Sequence, residues 1–91
     1  MAVTIKTINR IDGNTVKSFE DQMANAMTEG NDIVVDMSDT VYICSSALRV
    51  FLKAHKDLKK VGGSLLIDHV TPQIMEIFEV TGFSGVLSFA E

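Results

Sequence analysis

The chain alternates between two hydrophobic periods, and that alternation restricts its fold more than any other feature. Val3 and Ile5 alternate with Thr4 and Lys6, the period-two pattern of a half-buried strand. The phase slips around Thr7 and Ile8, where a bulge or the strand's end is expected. Asp12-Gly13-Asn14 is a turn cluster. Val16, Phe19, Met23, Ala26 and Met27 then recur at helical spacing through residue 28, and Gly30 closes the segment. Residues 32–37, DIVVDM, form a short β-branched run of the kind buried on both faces of a sheet. A polar turn, Ser38-Asp39-Thr40, leads into Val41-Tyr42-Ile43.

A second helix is predicted to begin at Ser45-Ser46. Its apolar stripe is Leu48, Phe51, Leu52, His55 and Leu58, with Lys53, Lys56, Lys59 and Lys60 largely off it. Lysines in the last turns suit the negative end of the helix dipole. Gly62-Gly63 stops this helix, and Ser64–Asp68 supplies another strand. Thr71-Pro72 is a strong helix start, a hydroxyl N-cap followed by proline at the first helical position. Ile74, Ile77, Phe78 and Thr81 share one face, Gly82 fits the position after the helix, and Val86–Phe89 reads as a last strand. Strands separated by helices of this length are βαβ crossovers. The expected fold is therefore α/β, a largely parallel, mixed sheet of about four to five strands with helices packed on it. All 91 residues make one domain, large enough to bury a modest core without staples.

Composition then removes whole classes of function. Eight Lys and Arg against twelve Asp and Glu give a net charge of −4. A nucleic-acid binder that neutralises phosphates, or an anchor on anionic lipid, needs the opposite balance. One cysteine excludes an internal disulfide, and two histidines do not complete a zinc site. No secretory signal or spanning segment is read from the sequence, so a cytoplasmic location is expected.

Asp36-Met37-Ser38, Tyr42-Ile43, Ser45-Ser46, Lys59-Lys60-Val61-Gly62-Gly63 and Thr81-Gly82-Phe83 form an ordered set at characteristic spacing. Together with Ile11-Asp12 and the first helix, this set resembles the STAS domain family, the fold of bacterial anti-sigma factor antagonists. The resemblance implies a non-enzymatic, monomeric regulatory module without a cofactor. Its implied partners are an anti-sigma factor that is itself a serine kinase, and a serine phosphatase. The family's D-S-[ST]-G motif carries its phosphorylated serine onto Ser45. Asp12, Asp39, Thr40, Ser46 and Arg49 are expected beside it in the contact surface, from their proximity in that fold. Two motif positions depart: Cys44 stands at the acidic position and Ala47 at the glycine position. The leading hairpin strand and C-terminal helix of longer members also look reduced or absent.

Simpler readings stand beside this one. Ser45 and Ser46 are candidates for plain helix caps. The departures at Cys44 and Ala47 allow a STAS scaffold or subunit with no phosphoswitch. Cys44 at a helix start is a candidate nucleophile for a small thiol-dependent hydrolase. The spacing to Arg49 is C-x4-R, however, one residue short of the phosphatase loop, and a small buried core residue is the simpler role. Asp36-Met37-Ser38-Asp39-Thr40 has one residue too many between its aspartates for a D-x-D-x-T phosphotransfer signature and reads as strand-end turn chemistry. His55 is read as a packed histidine, and His69 has no evident co-ligands.

Overall fold

A computed structural model describes residues 2–90. Its strands are β1 (Val3–Lys6), β2 (Arg10–Ile11), β3 (Asp32–Asp36), β4 (Tyr42–Ile43), β5 (Ser64–Asp68) and β6 (Ser88–Phe89). Its helices are α1 (Val16–Glu29), α2 (Ser45–Lys60) and α3 (Pro72–Val80), with a short 3-10 turn at Phe83–Gly85. The main sheet has four strands in the order β1-β3-β5-β6, and β2 and β4 form a separate two-stranded ribbon. Every pairing is parallel.

One face of the sheet carries the core. Ile5, Ile33, Val35, Leu65 and Ile67 are buried and share one cluster with Phe19 and Met23 of α1, Phe51 and Leu58 of α2, and Ile74 and Phe78 of α3. Four phenylalanines run through it, Phe19–Phe51–Phe78–Phe89, with successive ring centroids 5.0, 5.7 and 5.0 Å apart in tilted or edge-on geometry. Truncating the fully buried Phe51 at the middle of that row would cost about 3–5 kcal/mol. The expectation that residues 32–37 are buried on both faces is corrected. Ile33 and Val35 are buried, but Val34 and Asp36 are only half-covered, because they point to the side of the sheet that no helix packs against.

The two glycines after α2 serve different needs. Gly62 has φ 76°, the left-handed conformation that ends the helix. Gly63 passes so close to the start of β3 that a Cβ there would lie 2.1 Å from the Asn31 carbonyl oxygen. That oxygen accepts the Ser64 amide at 2.9 Å, so β5 is zipped to β3 from its first residue. Thr71 caps α3 as its sequence implies, its Oγ1 accepting from the Ile74 amide at 3.4 Å. Gly82 follows α3 with φ 82°. Gly30 ends α1 in plain extended backbone, and the last strand is shorter than Val86–Phe89, since the 3-10 turn carries Val86 and Leu87 off the sheet.

Candidate functional site: the β2–β4 ribbon and the start of α2

The ribbon is only two residues long on each strand, yet it fixes where α2 begins. Arg10 pairs with Tyr42 and Ile11 with Ile43. Ile11 and Ile43 are buried, while Arg10 and Tyr42 face solvent. Beyond that pair the Cys44 amide still donates to the Ile11 carbonyl at 2.9 Å, which places Asp12 opposite Cys44 in the ribbon's register. Cys44 is extended, with φ −93° and ψ 170°, and its carbonyl accepts from the Ala47 amide at 3.1 Å and the Leu48 amide at 3.4 Å. Cys44 is therefore the N-cap residue, and Ser45 and Ser46 occupy the first two helical positions.

This overturns the capping role for the two serines. No side chain caps α2, and both serines are exposed, with no hydrogen-bond partner for either hydroxyl among the described residues. The unpaired amides of the first turn make this the positive end of the helix. Arg49, one turn on, is exposed and has no ion-pair partner among the described residues. Ser46 and Arg49 line one side of a shallow hollow of about 310 Å³, closed on the other side by Val16, Lys17 and Glu20 of α1.

Asp12 is built into the turn after β2. Its Oδ1 accepts from the Asn14 amide at 2.9 Å and from Thr15 Oγ1 at 3.3 Å, and Arg10 Nε lies 3.5 Å from its other oxygen. The Asn14 hydrogen bond, against a smaller opposing effect of burial, holds the carboxyl below its ordinary pKa. A carboxylate held in its charged form therefore stands across from Cys44. Arg10 also stacks over the Tyr42 ring at 4.6 Å, a pair that the sequence reading missed. Its signal was the alternation in Tyr42-Ile43, which turns the tyrosine outward once the isoleucine is buried. Ile8, Val41 and Tyr42 leave an exposed apolar patch on the ribbon and its flanks.

Two expected contact residues sit differently. Thr40 is fully buried, so it cannot offer its side chain to a partner. Its hydroxyl bonds to the Ile8 carbonyl at 2.7 Å and to Thr7 Oγ1, and Thr7 in turn reaches the Asp36 carbonyl at 3.4 Å. This buried pair ties the β3–β4 turn to the segment before β2. Asp39 is exposed but engaged, 3.3 Å from Lys6 Nζ on β1.

The remaining candidates fall into structural places. Cys44 is half-buried and packs against the core, and Ala47 is fully buried. His55 is half-buried on α2. His69, with φ 56°, holds Nδ1 3.3 Å from Asp68 and 3.8 Å from Asp36 at the carboxyl ends of β5 and β3. No group of three metal-ligating side chains occurs among the described residues, and none of their helices is long and apolar enough to cross a membrane.

The chain belongs to the STAS domain family, whose model matches residues 2–91. It is 29% identical to BtrV of Bordetella bronchiseptica, a candidate anti-sigma factor antagonist, covering 92% of this chain and 84% of that protein. It is 23% identical to the anti-sigma-B factor antagonist of Bacillus subtilis, with 97% and 81% covered. Its fold matches the anti-sigma factor antagonist SpoIIAA in the unphosphorylated form with a TM-score of 0.80, at 18% identity over 99% of this chain and 80% of that one. The phosphorylated form of SpoIIAA matches at 0.72, also at 18% identity, over 99% and 83%. The expected STAS-like α/β architecture is thereby shown.

Proposed function

We propose that this chain is a cytoplasmic, non-enzymatic anti-sigma factor antagonist that binds an anti-sigma factor of the serine-kinase type through the surface around Ser45. One observation carries the reading: the two serines that open α2 are exposed and take no part in holding the helix. Hydroxyls free of structural work are available to a partner and to a kinase. The names of the relatives support the same role. The contact set is Asp12, Ser45, Ser46 and Arg49, widened by Arg10 and Tyr42 and with Asp39 at the rim. Thr40 shapes this surface from beneath.

Phosphorylation of Ser45 ends the complex in this reading, and a serine phosphatase restores it. A phosphate brings about −1.5 to −2 charges to a helix end that tolerates an anion within its own domain. The same charge, close to the ionised Asp12, disrupts an interface formed on a neutral hydroxyl. The departures from the motif are compatible with this. Asp12, opposite Cys44, supplies the negative charge that a cysteine lacks, and the Ala47 methyl points into the core.

The test is titration calorimetry with the purified serine kinase encoded by the same host. Ser45→Asp should weaken binding about a hundredfold with an unchanged circular dichroism spectrum. Equal affinity for wild type and Ser45→Asp overturns the switch. Cys44 at the acidic position favours a second reading, a STAS scaffold without phosphorylation. One phosphate per chain, mapped to Ser45 after incubation with the kinase and ATP, excludes it.

A further inference from the structure

The hollow at Ser46 does not end there. It continues between α1 and α2 into a second, larger one of about 390 Å³, and Lys17, Glu20, Val50 and Lys53 line both. The two form one groove along the helix pair, from Val16 to Met27 on α1, a run of about 16 Å or three helical turns. Its floor is apolar and small or pliable, made by Met23, Ala24, Met27, Val50 and Ala54.

The rim charges are unequally satisfied. Lys17 sits 3.5 Å from Glu20 and 3.1 Å from Asp21, and Lys53 sits 3.4 Å from Asp57. Every acid on the rim is thus engaged, whereas Arg49, at the Ser46 end, has no carboxylate partner among the described residues. The end at Ser46 carries Lys17, Arg49 and Lys53 against Glu20 alone. The far end carries Lys17 and Lys53 against Glu20, Asp21 and Asp57.

The geometry points to a second contact for the partner. The α1–α2 groove docks an amphipathic helix of the serine-kinase anti-sigma factor, about three turns long, with a carboxylate that pairs with Arg49. Its apolar stripe fills the Met and Ala floor, as amphipathic helices fill grooves between helices. Its negatively polarised C-terminal end lies toward Arg49 and its N-terminal end toward Asp57, matching the charge gradient of the rim. Arg49 suits this role because a guanidinium binds a carboxylate through two parallel hydrogen bonds. The inference rests on the proposed partner, and it makes the interface longer than the Ser45 surface.

The experiment compares full-length wild type, Ser45→Asp, Ala24→Arg and Arg49→Glu for binding to the purified kinase, with 15N-labelled spectra of each. Ala24 is exposed on α1, so a long side chain there fills the groove without entering the core. Ala24→Arg and Arg49→Glu should each lose about tenfold or more in affinity, with amide spectra unchanged away from the substitution. The kinase should shift wild-type resonances of Ala24, Met27 and Lys53. Arg49 belongs to the Ser45 contact set as well, so Ala24→Arg, which lines only the groove, decides: if Ser45→Asp loses binding while Ala24→Arg binds like wild type, the groove is not occupied and the inference falls alone. If wild type itself does not bind the kinase, the proposed partner falls and the groove's occupant with it.

Discussion

The two best-defined helix starts in this molecule, those of α2 and α3, were built for different ends. At α3, Thr71 caps the helix, its Oγ1 accepting the Ile74 amide, and Pro72 occupies the first helical position. At α2 the cap position holds Cys44, whose side chain makes no cap hydrogen bond, and Ser45 and Ser46 follow with their hydroxyls exposed. Hydroxyl residues stand at the beginning of both helices, yet only one set stabilises its helix. A cap typically contributes about 1 kcal/mol, so α2 forgoes local stability that α3 retains. Its start is instead held by the β2–β4 ribbon, which delivers Cys44 in the extended conformation through the bond to Ile11. Support from the ribbon leaves the surface of the first turn free, whereas support from a cap would occupy it.

The comparison is sharpest in binding. Negative charge at Ser45 should cost about a hundredfold in affinity for the kinase, whereas Thr71→Ala should leave that affinity within about threefold of wild type. Calorimetry on the two variants side by side reads the contrast, and equal losses would break it. Stability should show the reverse. Thr71→Ala should destabilise by about 1 kcal/mol, a fall of roughly 4–8 °C in Tm for a domain of this size. Ser45→Ala should stay within about 0.5 kcal/mol of wild type by urea denaturation. A Ser45→Ala loss as large as that of Thr71→Ala would show that the hydroxyl caps the helix after all. Cys44→Ser goes the other way, placing a cap acceptor where the backbone already has cap geometry. It should stabilise by about 0.5–1 kcal/mol, less whatever packing the sulfur supplied.

The same contrast marks what could be read from the residues. Thr71-Pro72 is a local signal, complete within two positions, and it placed α3 correctly. The long periodic stretches of α1 and α2, and the β5 run, were equally legible because burial on one face imposes its period over many residues. The ribbon was not: two residues per strand are too few for a period, and the pairing of Arg10-Ile11 with Tyr42-Ile43 bridges residues 32 positions apart. Without it the N-cap falls on the serines, since hydroxyls are the favoured caps. Thr40 was missed for a related reason. A threonine in a polar turn reads as surface, and only the long-range bonds to Thr7 and Ile8 bury it. The Arg10–Tyr42 stack depends on the same ribbon, so the start of α2 was legible to within a residue, whereas on the β2 side only Asp12 was named and the stack beside it was not.

The smallest effect expected is in acid. Asp12 and Asp36 both have carboxyls held below their ordinary pKa of 3.8, Asp12 mainly by the Asn14 amide and Asp36 mainly by the Ser38 amide. A carboxyl whose folded pKa lies below its unfolded one stabilises the fold above pH 3.8 and loses that contribution as pH falls through the folded value. Both act in the window just below pH 4, but at different places: Asp36 braces the turn after β3, and Asp12 the turn that carries the ribbon into α1. Asp12→Asn should flatten the acid limb of the stability curve, read by urea denaturation as the pH falls below about 4. It should also weaken kinase binding at pH 7, where Asp36→Asn should not, because only Asp12 lies opposite Cys44. Parallel losses of binding in the two variants would mean that acidic turns matter to this interface only through stability, and the special place given to the start of α2 would go with them.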